Sequence, residues 1–221
     1  MKKKIWLSWS TGKDSAYTLY RLQSENRMAV ESLLTTITTD YERVSMHSTQ
    51  KKCLDLQSES LGLPIVKVEI PSKCTNEIYE NQFLSALNAA KTEGIDYIAY
   101  GDLFLDDIKT YRQNLHKKVE IKPIFPLWGL ETKTLARQMI DLGFEAFITC
   151  IDSKKLPKSF AGRKYDHSFI DDLPDSVDPC GENGEFHTFV YNGPIFKKTI
   201  SAEVGEIVER DGFIFADVAA Y

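Results

Sequence analysis

What the chain lacks narrows it first. Its 221 residues include four cysteines, Cys53, Cys74, Cys150 and Cys180, each standing alone. Without a C-x-x-C pair there is no zinc-type ligand spacing and no disulfide framework, and isolated thiols fit a reducing cytosol. No run approaches the ~18 apolar residues of a membrane-spanning helix. The opening "MKKKIWLSW" imitates the charged start of an export signal, but polar residues cut its apolar stretch short, so no export is expected. Positive charge is not in excess either. Lys and Arg total 27 against 32 Asp and Glu, a formal charge of −5, which argues against a nucleic-acid partner that needs a broad basic surface. The one basic run, Lys154, Lys155, Lys158, Arg163 and Lys164, reads as a solvated face. Repeats and low-complexity segments are missing. What is left is an ordinary globular composition, 43% hydrophobic and 27% charged, expected in the cytoplasm.

The pattern that is present alternates. Lys4–Trp9 reads as a buried strand and Ser15–Gln23 as a helix with Ala16, Leu19, Tyr20 and Leu22 inward. Ala29–Thr38 is β-branched and strand-like; Gln50–Leu61 is helical and stops at Gly62 and Pro64. Ile65–Ile70 alternates as a strand, Thr75–Glu93 is the longest helical pattern, and Asp96–Asp102 is a short strand that runs into polar residues. Strands separated by helices cannot pair through tight turns, so a doubly wound parallel α/β sheet is expected. A helix near Asp106–Leu115, an extended "IKPIFPLW", a helix over Thr132–Leu142 and the strand "FEAFITCI" follow. Beyond Lys154 the chain is turn-rich, with Arg210-Asp211-Gly212 reading as a hairpin turn. The expected division is a nucleotide-binding part over 1–115 and a smaller C-terminal α+β part over 116–221. The apolar end "GFIFADVAAY" is a candidate homodimer surface.

Between the first strand and first helix lie Ser10, Thr11, Gly12, Lys13, Asp14 and Ser15. A turn there sits at the carboxyl edge of a parallel sheet, where open α/β folds bind ligands. The first helical amides lack intrahelical partners and carry partial positive charge, small residues let a phosphate come close, and Lys13 adds a full charge. A plain helix cap by Ser10 or Thr11 is the competing reading. The Walker A pattern fails, because Leu7 stands where its first Gly belongs and Asp14 where Ser or Thr should follow the Lys. What remains resembles the S-G-G-x-D-S loop of the PP-loop ATP pyrophosphatases, with Thr11 in place of the first Gly. Far along the chain, "DPCGENGEFHTFVYNGPIF" resembles the G-E-x-G-E-[FY]-x-T segment of the diphthine–ammonia ligase family. Gly101-Asp102 at a strand end, Pro126-Leu127-Trp128 before a helix, "GFEAFITCI", "LPKSFAGRKYD" and "SMHS" resemble its members too. In the lead-up "HKKVEIKPIFPLW", the Cys and Gly usual in the family are absent.

That resemblance implies a sheet of strand order 3-2-1-4-5 (the adenine nucleotide alpha hydrolase-like arrangement) and a ligase that uses ATP, with Mg²⁺, to join ammonia to a carboxylate. The acceptor would be diphthine on an elongation factor. It further implies that Ser10–Ser15 hold the β- and γ-phosphates, with Lys13 neutralising charge; a flexible surface lysine is the alternative. Asp14 would be a Mg²⁺ ligand or a cap on the loop. Asp102 would face the crevice beside Asp14, or else only close a surface turn after Gly101. Thr36, at the end of the second strand, would line the adenine pocket. Glu182, Asn183, Gly184, Glu185, His187 and Thr188 would form the acceptor or ammonia site, with Glu185 and His187 catalytic and His187 carrying a proton near neutral pH. Their alternative is a hairpin whose charges face water. His47 is a cap, a core contact or a ligand. Two other functions compete: the same adenylation with a small-molecule acceptor, and a nucleotide sensor without ligase activity. tRNA thiolation is disfavoured by the missing Cys pairs.

Overall fold

The computed structural model describes residues 2–44 and 49–221, so His47 lies outside the described residues. The first strand, β1 (Lys3–Ser8), carries Ile5, Trp6 and Leu7, all essentially buried. Alternation splits them between the two faces of a sheet. Ile5 and Leu7 pack with Ala16, Leu19 and Leu22 of α1 (Lys13–Glu25) and Leu54 of α2 (Lys51–Leu61). Trp6 packs on the other side with Phe83 and Leu87 of α3 (Asn76–Thr92) and Leu115 of α4 (Asp106–Lys117). Helices therefore cover both faces, as the continuous apolar runs of a parallel sheet require.

β1 pairs in parallel with β2 (Met28–Thr38) on one side and β5 (Tyr97–Ala99) on the other. A two-residue antiparallel strand, β3 (Arg43–Val44), and the parallel β4 (Ile65–Ile70) both pair with β2. Counting parallel strands alone, and with β6 (Lys122–Ile124) beside β5, the order is 3-2-1-4-5. The expected division at 115/116 cuts before β6, which belongs to this first sheet. Its reading as a mere extended lead-in has a physical reason: Pro123 is tolerated only because the strand lies at the sheet edge.

The second sheet is antiparallel, ordered β8 (Phe186–Asn192), β7 (Glu145–Asp152), β10 (Phe213–Ala220), β9 (Ala202–Arg210). It is accompanied by α5 (Thr132–Asp141) and the short α6 (His167–Asp171), which sequence periodicity did not indicate. Asp211 and Gly212, both at positive φ (53° and 81°), form the β9–β10 hairpin turn. The apolar C-terminal run is β10 itself. It is an interior strand with Ile214, Ala216, Val218 and Ala220 buried, while Phe213 and Tyr221 stay exposed. The two sheets share one core, in which Leu7 and Leu19 join a continuous cluster with Ile148, Ile151 and Val190.

Candidate active site

The carboxyl edge of β1 opens into a cavity with four walls: Ser10, Lys13, Asp14 and Ser15 from the first turn; Tyr100, Gly101 and Asp102 from the end of β5; Arg112 from α4; and Cys180, Gly181, Glu182 and Gly184 from the turn before β8 with Phe186, His187 and Thr188 of β8 itself. Residues far apart in sequence meet here because β1 and β5 are neighbours and β8 leans on the first turn.

The first turn is shaped by its neighbours. Gly12 caps α1 in an extended conformation and has no side chain to offer the free amides. The Lys13 N–H donates to Thr188 Oγ1 at 3.1 Å, so the second-sheet threonine acts as the helix cap. The following amides, of Asp14 and Ser15, have no capping side chain among the described residues. Ser15 Oγ turns back to the Gly12 carbonyl at 2.9 Å and lies 3.3 Å from Ser10 Oγ. Neither Ser10 nor Thr11 caps the helix. Thr11 is fully buried and left-handed, with φ 70°.

Lys13 is not a flexible surface lysine. It is 3% exposed, its Nζ bonds Asp14 Oδ2 at 2.8 Å and the Cys180 carbonyl, and it faces the rings of Phe186 and Tyr165 at 5.4 and 5.6 Å. Burial pulls its pKa down, but Asp14 beside it overrides that pull and holds it above the ordinary lysine value. The ammonium is therefore a fixed charge at neutral pH. Asp14 Oδ1 is buried without a hydrogen-bond partner among the described residues. Burial pushes that carboxyl up, against Lys13.

Gly101 is where β5 touches the start of α1. A Cβ there would stand 3.1 Å from the Asp14 backbone, tight enough that any side chain would push the start of α1 away by a few tenths of an ångström. Asp102 does face the cavity beside Asp14, but it is paired with Arg112 through contacts of 2.8 and 3.1 Å. The guanidinium lies 4.1 Å over the Tyr100 ring. Tyr100 Oη is 2.7 Å from His116 Nε2, and His116 Nδ1 is 2.9 Å from the Ile121 carbonyl. A carbonyl only accepts, so Nδ1 carries the proton and Nε2 accepts from Tyr100. Burial holds His116 neutral, with a pKa of about 4.

The two motif glutamates part ways. Glu182 lines the cavity, accepts from the Leu103 N–H at 2.7 Å, and is raised to about 7 by burial, with Asp14 and Asp102 adding to the push. Glu185 is 2% exposed and absent from the cavity wall. Its carboxylate accepts from Asp178 N–H (3.2 Å), Asn183 N–H (3.0 Å) and Asn183 Nδ2 (3.0 Å). The expectation that Glu185 and Asn183 present themselves to an acceptor is corrected accordingly: each satisfies the other, and together they fold the turn. Gly184 (φ 82°) is one of the left-handed positions that let the turn close. His187 lines the cavity, but burial lowers it to about 4, so near pH 7 it is the neutral imidazole and not the imidazolium expected to carry a proton. Thr36 does not line the cavity and interacts with Tyr79 instead. Sequence reasoning missed Arg112, Gln57 and Tyr165. Nothing local marks them: Arg112 and Gln57 are ordinary residues on amphipathic helices and Tyr165 lies in a loop, until the fold turns each inward.

Among the described residues no cluster of three or more His, Cys, Asp or Glu side chains is arranged to hold a metal. Nor, among them, is any helix long and apolar enough to cross a membrane.

A doubly wound parallel sheet with an open-ended turn after its first strand, closed over by a second antiparallel sheet, defines the class. Residues 2–123 match the diphthamide synthase N-terminal domain and residues 131–217 the diphthamide synthase C-terminal domain. The chain belongs to the diphthamide synthase family. It is 25% identical to the diphthine–ammonia ligase of Homo sapiens over 239 residues, covering 95% of this chain and 86% of that one. Identity to the Rattus norvegicus diphthine–ammonia ligase is 26% over 233 residues, with the same shares covered. A solved structure of a predicted tRNA methyltransferase subunit from Methanocaldococcus jannaschii superposes over 90% of this chain and 100% of that chain, with a TM-score of 0.44 and 16% identity.

Proposed function

We propose that this protein is an ATP-dependent, AMP-forming carbon–nitrogen ligase of the diphthine–ammonia ligase type, with a diphthine carboxylate as acceptor. A carboxylate cannot pass directly to an amide because its leaving group would be oxide. Attack of its oxygen on the α-phosphorus of ATP forms the acyl-adenylate and releases pyrophosphate; ammonia then adds to the acyl carbon and AMP departs. This chemistry asks the protein for orientation and charge neutralisation, which together remove roughly 7–11 kcal/mol of barrier.

One observation carries the reading: the turn before α1 and the turn before β8 open into a single cavity, so a nucleotide and an acceptor can share it. In this reading the Asp14 and Ser15 amides and the Ser10 and Ser15 hydroxyls take the departing diphosphate. The charge of Lys13, already fixed before ligand arrives, stabilises the developing negative charge without reorganising. Arg112, held by Asp102, stands on the opposite wall. Glu182, poised near neutrality, suits taking a proton from the attacking ammonia, a role for which neutral His187 is the weaker candidate at pH 7. Asp14 Oδ1, a buried oxygen with no hydrogen-bond partner among the described residues, fits a single carboxylate contact to Mg²⁺, which characteristically takes one or two carboxylates with the rest from phosphate and water. Bound there, the ion would neutralise phosphate charge.

We place the working division between the two parts after β6, so that the first sheet stays whole. Four unpaired thiols suit a cytosolic setting. The family relationship favours the ligase over the sensor and small-molecule readings. The test is AMP and pyrophosphate formation from ATP with ammonium and diphthine-bearing elongation factor. Formation that needs both co-substrates is expected; ATP that stays intact with all components present would overturn the reading.

A further inference from the structure

Thr11 is a β-branched residue at φ 70°, a conformation such side chains rarely adopt and one that persists only when surrounding structure imposes it. Three contacts impose it here. Gln57 Nε2, from α2, donates to the Thr11 carbonyl at 3.0 Å. The Val190 N–H, from β8, donates to the same carbonyl at 3.0 Å. Thr49 Oγ1 lies 2.9 Å from Thr11 Oγ1.

Gln57 is completely buried and its amide is fully used. Its other Nε2 hydrogen goes to the Val190 carbonyl at 2.6 Å, and Oε1 accepts from Trp9 Nε1 at 2.8 Å. One side chain therefore ties the end of β1, the turn and the second sheet together.

We propose that Gln57 is the positioning residue for the phosphate-accepting turn, assisted by Thr49. It holds Thr11 left-handed, and so fixes the direction of the amides at the start of α1. The proposal rests on the reading of residues 10–15 as the ATP cradle. Its consequence is that nucleotide affinity is set partly from the second sheet: a full-length fold with β8 docked is needed to shape a turn lying wholly in the first. A Gly at position 11 would not need the clamp, because glycine adopts positive φ without strain.

The experiment is a double-mutant cycle on the full chain, with ATP affinity measured by calorimetry and folding checked by thermal melting. Without the clamp, Thr11 relaxes and affinity falls with the fraction of molecules still competent. Gln57→Leu is expected to raise the ATP Kd about tenfold in the native background, and less than about threefold in the T11G background. Should Gln57→Leu fail to fold, the near-isosteric Thr49→Val carries the test, with about a threefold rise that T11G removes. Equal effects in both backgrounds, or no effect of the clamp variants, would overturn the proposal. If ATP binding also ignores Ser10→Ala and Ser15→Ala, the cradle reading falls with it. If binding depends on those residues but not on the clamp, only the clamp falls.

Discussion

The two turns that meet in the cavity are built in opposite ways. The turn at 10–15 borrows its shape: Thr11 is held by Gln57 and Val190, and the first helical amide is capped by Thr188, 175 positions away. The turn at 178–185 is braced mainly by its own side chains, with outside contacts at Cys180 and Glu182. Glu185 gathers three N–H groups from Asp178 and Asn183, and Asp178 Oδ2 takes the Glu182 N–H at 2.9 Å. The difference teaches what each is suited to. A turn supported from outside can leave its own amides open to a ligand, whereas a turn braced mainly from within is a rigid mount that sets one carboxylate, Glu182, on the cavity wall.

The comparison breaks most severely at the ion pair of the first turn. Lys13→Met strands the Asp14 carboxylate and the Cys180 carbonyl, and removing one partner of a buried pair costs about 3–5 kcal/mol. Melting temperature and AMP formation should both collapse. Next, Glu185→Ala removes the acceptor from three N–H groups. A loss of about 2–4 kcal/mol is expected from unsatisfied buried donors, read by denaturant unfolding. A retained native stability would mean that Glu185 does not brace the second turn.

Gly101→Ala probes the seam between β5 and α1. The added methyl meets backbone that cannot swing aside, and overpacking of this kind costs about 1–3 kcal/mol. ATP affinity should fall along with stability, since the neighbour displaced is Asp14.

The smallest effect on folding, and the sharpest contrast with Glu185, belongs to Glu182→Gln. AMP formation should drop well beyond any change in melting temperature. The pH dependence separates the groups further. Glu182 is raised from 4.5 to about 7 in the fold, so the native state binds more protons across that window and stability falls as pH rises through it. Glu182→Gln should flatten that decline. His187 is lowered from 6.5 to about 4, so the unfolded state binds more protons there and stability is lost as pH falls through that range. His187→Gln should flatten the acid side instead. Stability curves over pH 4 to 7.5 for the two variants would check both signs.

Much of the fold was legible. The helix that ends at Gly62 and the hairpin at Asp211-Gly212 follow from turn chemistry, and the βα alternation implies a parallel sheet. The first sheet's far edge was not, because a strand containing Pro123 shows no alternation, and α6, five residues long, is too short for a helical period to register. The pairing that makes the apolar tail an interior strand was likewise hidden, because strand partners cannot be seen in one dimension.

Spacing and residue type along the chain are enough to say that a small, charged turn follows a buried strand and that a Gly- and Glu-rich turn lies far downstream, because these are local properties of the backbone. Which carboxylate of "GENGE" points into the cavity, whether Lys13 is mobile or sealed, why a threonine can stand left-handed at position 11, and that Arg112 arrives opposite them are all settled by contacts between segments brought together in folding. Burial, not spacing, sets those charges and conformations, and burial exists only in three dimensions.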